Sequence, residues 1–192
     1  MNKTRLVCED GHTERLLALL KGRVFHRTTA EAFTSIKRVG KVLHNRDKSF
    51  GTNTGSANCF GGFHGLVCLL DLRDENPETL EKTQGLYPFL SPHLFETYQH
   101  TWTVAKVVYL LLHPNYLDDE HIISNHAAVE YHRTNPYLNY VPKTEVWVKG
   151  HIPLDWIDTA IFVTFRRQAP PLDPINDRVS NLFKRDLKPP AN

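Results

Sequence analysis

Two residues far apart in the chain have types and settings that point to chemistry. Glu145 stands in "TEVWVKG". Strand alternation puts Glu145, Trp147 and Lys149 on one face and Val146 and Val148 on the other. The strand runs directly into "GHIPLDWI", a tight turn that can brace a rigid edge beside a pocket. His26 closes the short apolar run "RVFH", with Arg27, Thr28 and Thr29 beside it. That cluster offers several hydrogen-bond donors to a sugar or a phosphate. A carboxylate next to a sugar stabilises positive charge developing there, and it can orient or deprotonate the attacking group. Groups that hold the substrate lower the barrier by positioning it. The plainer readings are a solvated strand glutamate and a structural histidine.

Other constellations carry less. His121, His126, Glu130 and His132 have the spacing His-x4-His-x3-Glu-x-His. That spacing does not line one helical face, and no HExxH is present, so no metal is expected. "GSANCFGG" is rich in glycine but has neither the Walker lysine nor the Rossmann spacing. Cys59 and Cys68 read as loop and core residues.

The elements that must position these residues can be read from periodicity. "HTERLLALLKGR" predicts a helix with a leucine stripe, stopped by Gly22. "RVFH" predicts a short strand. Thr28 and Glu31 have the spacing of a capping box, opening a helix that ends with Lys37, Arg38 and Gly40. "KVL" is extended again. Residues 44–65 read as one long irregular loop, of the length that is usually functional. "LVCLLDL" and "TVAKVVYLLLHP" are strands, the second stopped by Pro114, and "DDEHIISNHAAVEYHR" suits a helix with an acidic first turn. "TEVWVKG" and "AIFVTF" are strands, with "IPLDWI" a turn between them. The expected class is α+β, with one domain over residues 1–168 and a Pro-rich basic tail over 169–192.

Bulk properties narrow the field. The 192 residues are 41% hydrophobic and 10% aromatic, ordinary for a globular chain. No run approaches a membrane span, and the N-terminal stretch has no apolar core of a secretory signal. Three cysteines without CxxC spacing fit a reducing, cytoplasmic setting and allow at most one intramolecular disulfide. The net charge is only +2. Its distribution is uneven: residues 1–48 carry eleven Lys and Arg against five Asp and Glu, while residues 71–130 carry three against ten. Basic ends offer a face to an anionic partner, unless the charges mix on the folded surface.

"VFHRTTAEAFTSIKRVGKVL" resembles the opening motif of the ADP-ribosyltransferase superfamily, with its DarT-like and PARP-like branches. It has a strand histidine, a hydroxyl residue two positions on, and a helix ending in "SI…G". "TEVWVKGHIPLDWI" is similar to the closing motif, an acidic strand followed by G-x-I-P-x-x-x-I. The resemblance covers these two segments and not the middle of the chain. It implies a split pair of bent antiparallel sheets with peripheral helices, gripping NAD in the cleft between them. On that resemblance Glu145 is the catalytic carboxylate. His26, Arg27 and Thr28 bind NAD at one end of the cleft. Arg46, or alternatively Arg73, holds it from the loop after the first-motif helix. The nicotinamide-stacking residue falls in "SFGTNTGSANCFGG", where Phe60 and Phe63 are the aromatics and Ser49, Thr52, Thr54 and Ser56 the hydroxyls. Lys143, two before Glu145, departs from arginine-modifying relatives, which carry an acid there.

The resemblance implies an NAD-dependent mono-ADP-ribosyltransferase that needs no metal and no membrane. Breaking the nicotinamide–ribose bond builds the kind of charge that Glu145 would stabilise. The acceptor is a macromolecule, with nucleic acid favoured over protein by the basic residues Lys37, Arg38, Lys41 and Lys48. Small free-standing relatives are often toxins or effectors, with an antitoxin or immunity protein as the matching partner. Two readings compete: a catalytically silent nucleotide- or protein-binding module of the same fold, and an unrelated α+β enzyme with a His/Glu acid–base pair.

Overall fold

The segment "VVYLLL" cannot show strand alternation, because both its faces are covered, and such a strand belongs at the centre of a sheet. In the computed structural model it does. The structure describes residues 1–47, 59–73, 96–98, 102–118, 120–134 and 140–168. The strands are β1 (Asn2–Glu9), β2 (Val24–Thr29), β3 (Lys41–Leu43), β4 (Leu66–Asp71), β5 (Glu96–Tyr98), β6 (Trp102–Leu112), β7 (Glu145–Lys149), β8 (His151–Pro153) and β9 (Ile157–Gln168). The helices are α1 (Glu14–Leu20), α2 (Ala30–Val39), α3 (Phe60–His64) and α4 (Asn125–His132). Among the described residues the main sheet runs β1-β9-β6-β2-β4-β7, with β5 added on β6, and β3 pairs with β8 in a second, two-stranded sheet. All pairings are antiparallel except β1 with β9. The class is α+β, as expected. No helix of the described residues is long and apolar enough to cross a membrane.

The two faces of the sheet bury separate cores. Leu16 and Leu20 of α1 pack with Phe25, Tyr109, Leu111 and Ile161 on one face. Phe33 of α2 packs with Val24, Leu69, Val108, Leu110 and Val146 on the other, together with Val42 and Ile152 from the small sheet. Helix α2 begins at Thr29, whose side chain accepts from the Ala32 amide at 3.0 Å. The cap is therefore one residue later than the Thr28–Glu31 box, and Thr28 stays in the strand opposite Val108. Gly40 ends the helix at φ +80°, a left-handed conformation that glycine adopts without steric cost.

Three further expectations shift. The long loop over 44–65 is interrupted by α3, because Cys59 caps it: its sulfur accepts the Gly62 amide at 3.2 Å. The helix expected from Asp118 begins only at Asn125, because Ile123 is tied to Trp147 by backbone hydrogen bonds in both directions. The N-terminal segment, to which the sequence reading gives no element, forms β1 at one end of the sheet among the described residues. The 74–95 stretch and the 169–192 tail lie outside the described residues.

Candidate functional site

Strand β4 separates the strands of the two leading residues. It pairs with β7 through Leu70↔Glu145 and Cys68↔Trp147. On its other side it pairs with β2 only through Val24↔Asp71 and Phe25↔Leu70. Beyond Phe25, β2 continues on β6 as far as Thr29 while its ladder with β4 stops. His26 stands at that parting. Its Nδ1 lies 2.9 Å from the Cys68 carbonyl. A carbonyl only accepts, so Nδ1 carries the proton and Nε2 presents a lone pair. Burial pulls the imidazole below its ordinary value, so it is neutral near pH 7.

Glu145 is held from three sides. Its Oε1 accepts the Trp147 indole N–H at 2.9 Å, its Oε2 accepts the Val141 amide at 2.7 Å, and the Cys68 thiol donates to it as well. Burial, at 6% exposure, outweighs these donors and raises its pKa above the usual glutamate value. The backbone that presents it is clamped by Asn125, the first residue of α4. The Asn125 amide donates to the carbonyls of Val141 and Glu145 and accepts the Lys143 amide at 3.0 Å. Lys143 takes the left-handed conformation, φ +63°, that this tight loop requires. Sequence reasoning misses Asn125. Its only trace is a polar residue in the "SN" step of a segment expected to be already helical.

Thus His26 bonds to the carbonyl of Cys68 and Glu145 to its thiol, and one residue links the two. They do not leave the sheet on the same side. By alternation His26 lies with Val24 and Leu110 on the α2 face, whereas Glu145 lies with Cys68 and Trp147 on the opposite face. The imidazole meets Cys68 where the ladder between β2 and β4 ends.

The other expected residues divide. Phe60 is buried against Trp147, ring centroids 4.7 Å apart, and so sits beside Glu145. Arg46 comes near through its stem: a Cβ on Gly65, which ends α3, would be 3.3 Å from the Arg46 Cδ. Arg27 lies opposite Tyr109 on the α1 face, and burial lowers its ordinarily very high pKa. Thr28 stays on the α2 face. Phe63 is 58% exposed, set against His64 and Tyr131. Arg73 forms a two-pronged pair with Asp71 and donates to the Leu117 carbonyl, which fastens the end of β4. Ser49, Thr52, Thr54 and Ser56 lie outside the described residues, as does Lys48.

Helix α3 must lie almost flush on the sheet for Phe60 to reach Trp147, and Gly61 permits it. A Cβ there would fall 2.4 Å from the Cys68 sulfur and 2.7 Å from Trp147 Cδ1. Gly61→Ala is expected to lift α3 and to cost roughly 1–3 kcal/mol by overpacking. A urea midpoint unchanged from wild type would show that α3 does not make this close approach.

The three histidines and one glutamate of the metal-like spacing are spread out. His121 bonds Asp118, His126 lies 4.0 Å from Glu130, and His132 is set against Tyr140. Among the described residues no group of three or more possible ligands converges. Compared with protein-family models, curated proteins and solved structures, the chain gives no match.

Proposed function

We propose that the chain is a mono-ADP-ribosyltransferase that transfers ADP-ribose from NAD to a macromolecular acceptor, with Glu145 as the carboxylate that stabilises the ribosyl cation. The observation that carries this reading is the adjacency of three strands, β2, β4 and β7, bringing His26 and Glu145 to one residue, Cys68. The parting of β2 from β4 supports the finer reading of a split sheet with a cleft at that point. There the Nε2 lone pair of His26 can accept a ribose hydroxyl. Glu145 lies beyond β4, on β7, and in its ionised form would stabilise the developing charge. The Arg46 stem beside Gly65 supports a pyrophosphate contact from that side. The test is incubation of the protein with NAD and, separately, single-stranded DNA, double-stranded DNA, RNA and a protein extract. Nicotinamide release with a mass increase on one acceptor supports the reading. Absence of both from every mixture rejects it.

One observation favours the silent module of the same fold. Glu145 is nearly sealed, and both its oxygens are already occupied by Trp147 and Val141. A module of that kind would bind NAD and release no nicotinamide, so the same incubation separates the two.

For the acceptor we favour nucleic acid. Lys37 and Arg38 lie exposed in the last turn of α2, and Lys41 follows in β3. Reversing Arg38 and Lys41 to glutamate is expected to lower nucleic-acid modification and to flatten its salt dependence, by roughly one unit of slope for each phosphate that the variant no longer neutralises. NAD affinity should be unchanged. Label confined to protein, and insensitive to the reversals, would discard the nucleic-acid acceptor.

A further inference from the structure

The two cysteines beside Glu145 are not used by the chemistry above. Cys59 caps α3 with its sulfur on the Gly62 amide at 3.2 Å. Cys68 reaches up from β4 so that its sulfur lies directly beneath Gly61. Both sulfurs therefore pack around the one peptide that joins Gly61 to Gly62, and the single Cys68 S–H lies within reach of the Cys59 sulfur as well as of Glu145. Both residues are partly exposed, unlike Cys8, which is buried.

We propose that Cys59 and Cys68 are a reversible dithiol–disulfide couple, oxidised by hydroperoxides and restored by dithiols. The roles are unequal. Cys59 is the attacking sulfur: hydrogen bonds from Cys68 and from the Gly62 amide stabilise its thiolate and bring its pKa down to about 7. Cys68 is the resolving sulfur, held as the thiol by the neighbouring sulfur, by burial and by Glu145. The Cys59 thiolate attacks the peroxide oxygen. The O–O bond breaks, leaving a sulfenic acid on Cys59 and hydroxide, which takes up the proton that Cys59 had released and becomes water. Cys68 then attacks the Cys59 sulfur. Its proton passes to Glu145, already its hydrogen-bond partner, and on to the departing hydroxyl as a second water. Two thiols and one hydroperoxide thus give one disulfide, one water and one water or alcohol. A dithiol returns two electrons and two protons. The couple stands independently of NAD.

Oxidation also removes the Cys68 proton from Glu145. The carboxylate then keeps the Trp147 and Val141 donors.

The sequence makes the test simple. Trypsin cuts after Lys48 and after Arg73, with no Lys or Arg between, so both cysteines fall on the one peptide 49–73. The full-length reduced protein is treated with one equivalent of hydrogen peroxide, alkylated and digested. Peptide 49–73 should be two hydrogens lighter than its reduced form and carry no alkyl label, while Cys8 keeps its label. Dithiothreitol before alkylation should restore two labels. In Cys68→Ser, Cys59 should stop at the sulfenic acid and form a dimedone adduct. In Cys59→Ser, Cys68 should remain alkylated at the same peroxide dose. The wild-type digest decides the matter without relying on either variant. Two alkyl labels on peptide 49–73 after peroxide, or an interchain disulfide in place of the internal one, would overturn the couple.

Discussion

Glu145→Gln should lower NAD turnover on the order of 100- to 1000-fold, the usual effect of removing one focused electrostatic contact. NAD affinity should change little, because a contact made in the transition state affects turnover more than binding. Glutamine keeps one oxygen for Trp147 or Val141 and sets an amide donor against the other, so a modest loss of melting temperature should accompany the loss of rate. The pH profile gives a second check. The carboxylate acts only when ionised, and burial raises its pKa. Wild-type activity should rise with pH through a value above the ordinary glutamate range, and that limb should be absent from any residual activity of the glutamine variant. Nicotinamide release at near wild-type rates would take Glu145 out of the reaction.

Trp147 is expected to show the largest effect on stability. It is fully buried, packs on Phe60 and donates its indole N–H to Glu145. Trp147→Ala should cost about 3–5 kcal/mol, the range for emptying a buried aromatic site. Trp147→Phe keeps most of the ring contact and removes the donor, at roughly 1.5–3 kcal/mol for a hydrogen bond to a charged group. The two variants should respond differently to pH. Because the folded state holds the Glu145 pKa above its unfolded value, stability falls as pH rises between those two values. Losing the indole donor pushes the folded value higher still and widens that window. The deficit of the Phe variant should therefore be small in acid and grow as Glu145 ionises. Urea midpoints measured across that range would show it. A deficit independent of pH would mean that the indole contributes packing alone.

What the sequence discloses depends on whether local rules decide the outcome. Helix α1 is legible because Leu16 and Leu20 fall one turn apart and both go to the core. Gly40 ends α2 as expected, since few other residues accept its left-handed conformation. The Glu145–Trp147 face follows from period-two alternation, and the indole N–H on the carboxylate bears it out. The capping threonine is displaced by one because Thr28 and Thr29 are chemically alike, and the strand pairing of Thr28 with Val108 decides between them. The start of α4 is displaced because Ile123 is claimed by Trp147 of β7, a partner that no local pattern names. Asn125 is invisible for the same reason: its value lies in carbonyls at 141 and 145, supplied by a later stretch of chain. Cys68 has the setting of a core residue in the sequence, yet it lies between His26 and Glu145, a place set by the order of strands and not by spacing.

That order of strands also constrains how the molecule is made. Strand β1 pairs with β9 from Asn2↔Thr159 to Glu9↔Arg166, and β9 in turn pairs along nearly the whole of β6. Of the described strands, the first to leave the ribosome therefore waits for the last before it finds its neighbour. Until then β6 has one side open, and the half of the sheet built on β9 does not exist. Contacts between such distant segments carry a large entropy of closure, so completion of the sheet should be slow compared with formation of α1 and α2. During translation the exposed edge of β6, among the most apolar segments of the chain, is the surface that a chaperone would need to cover.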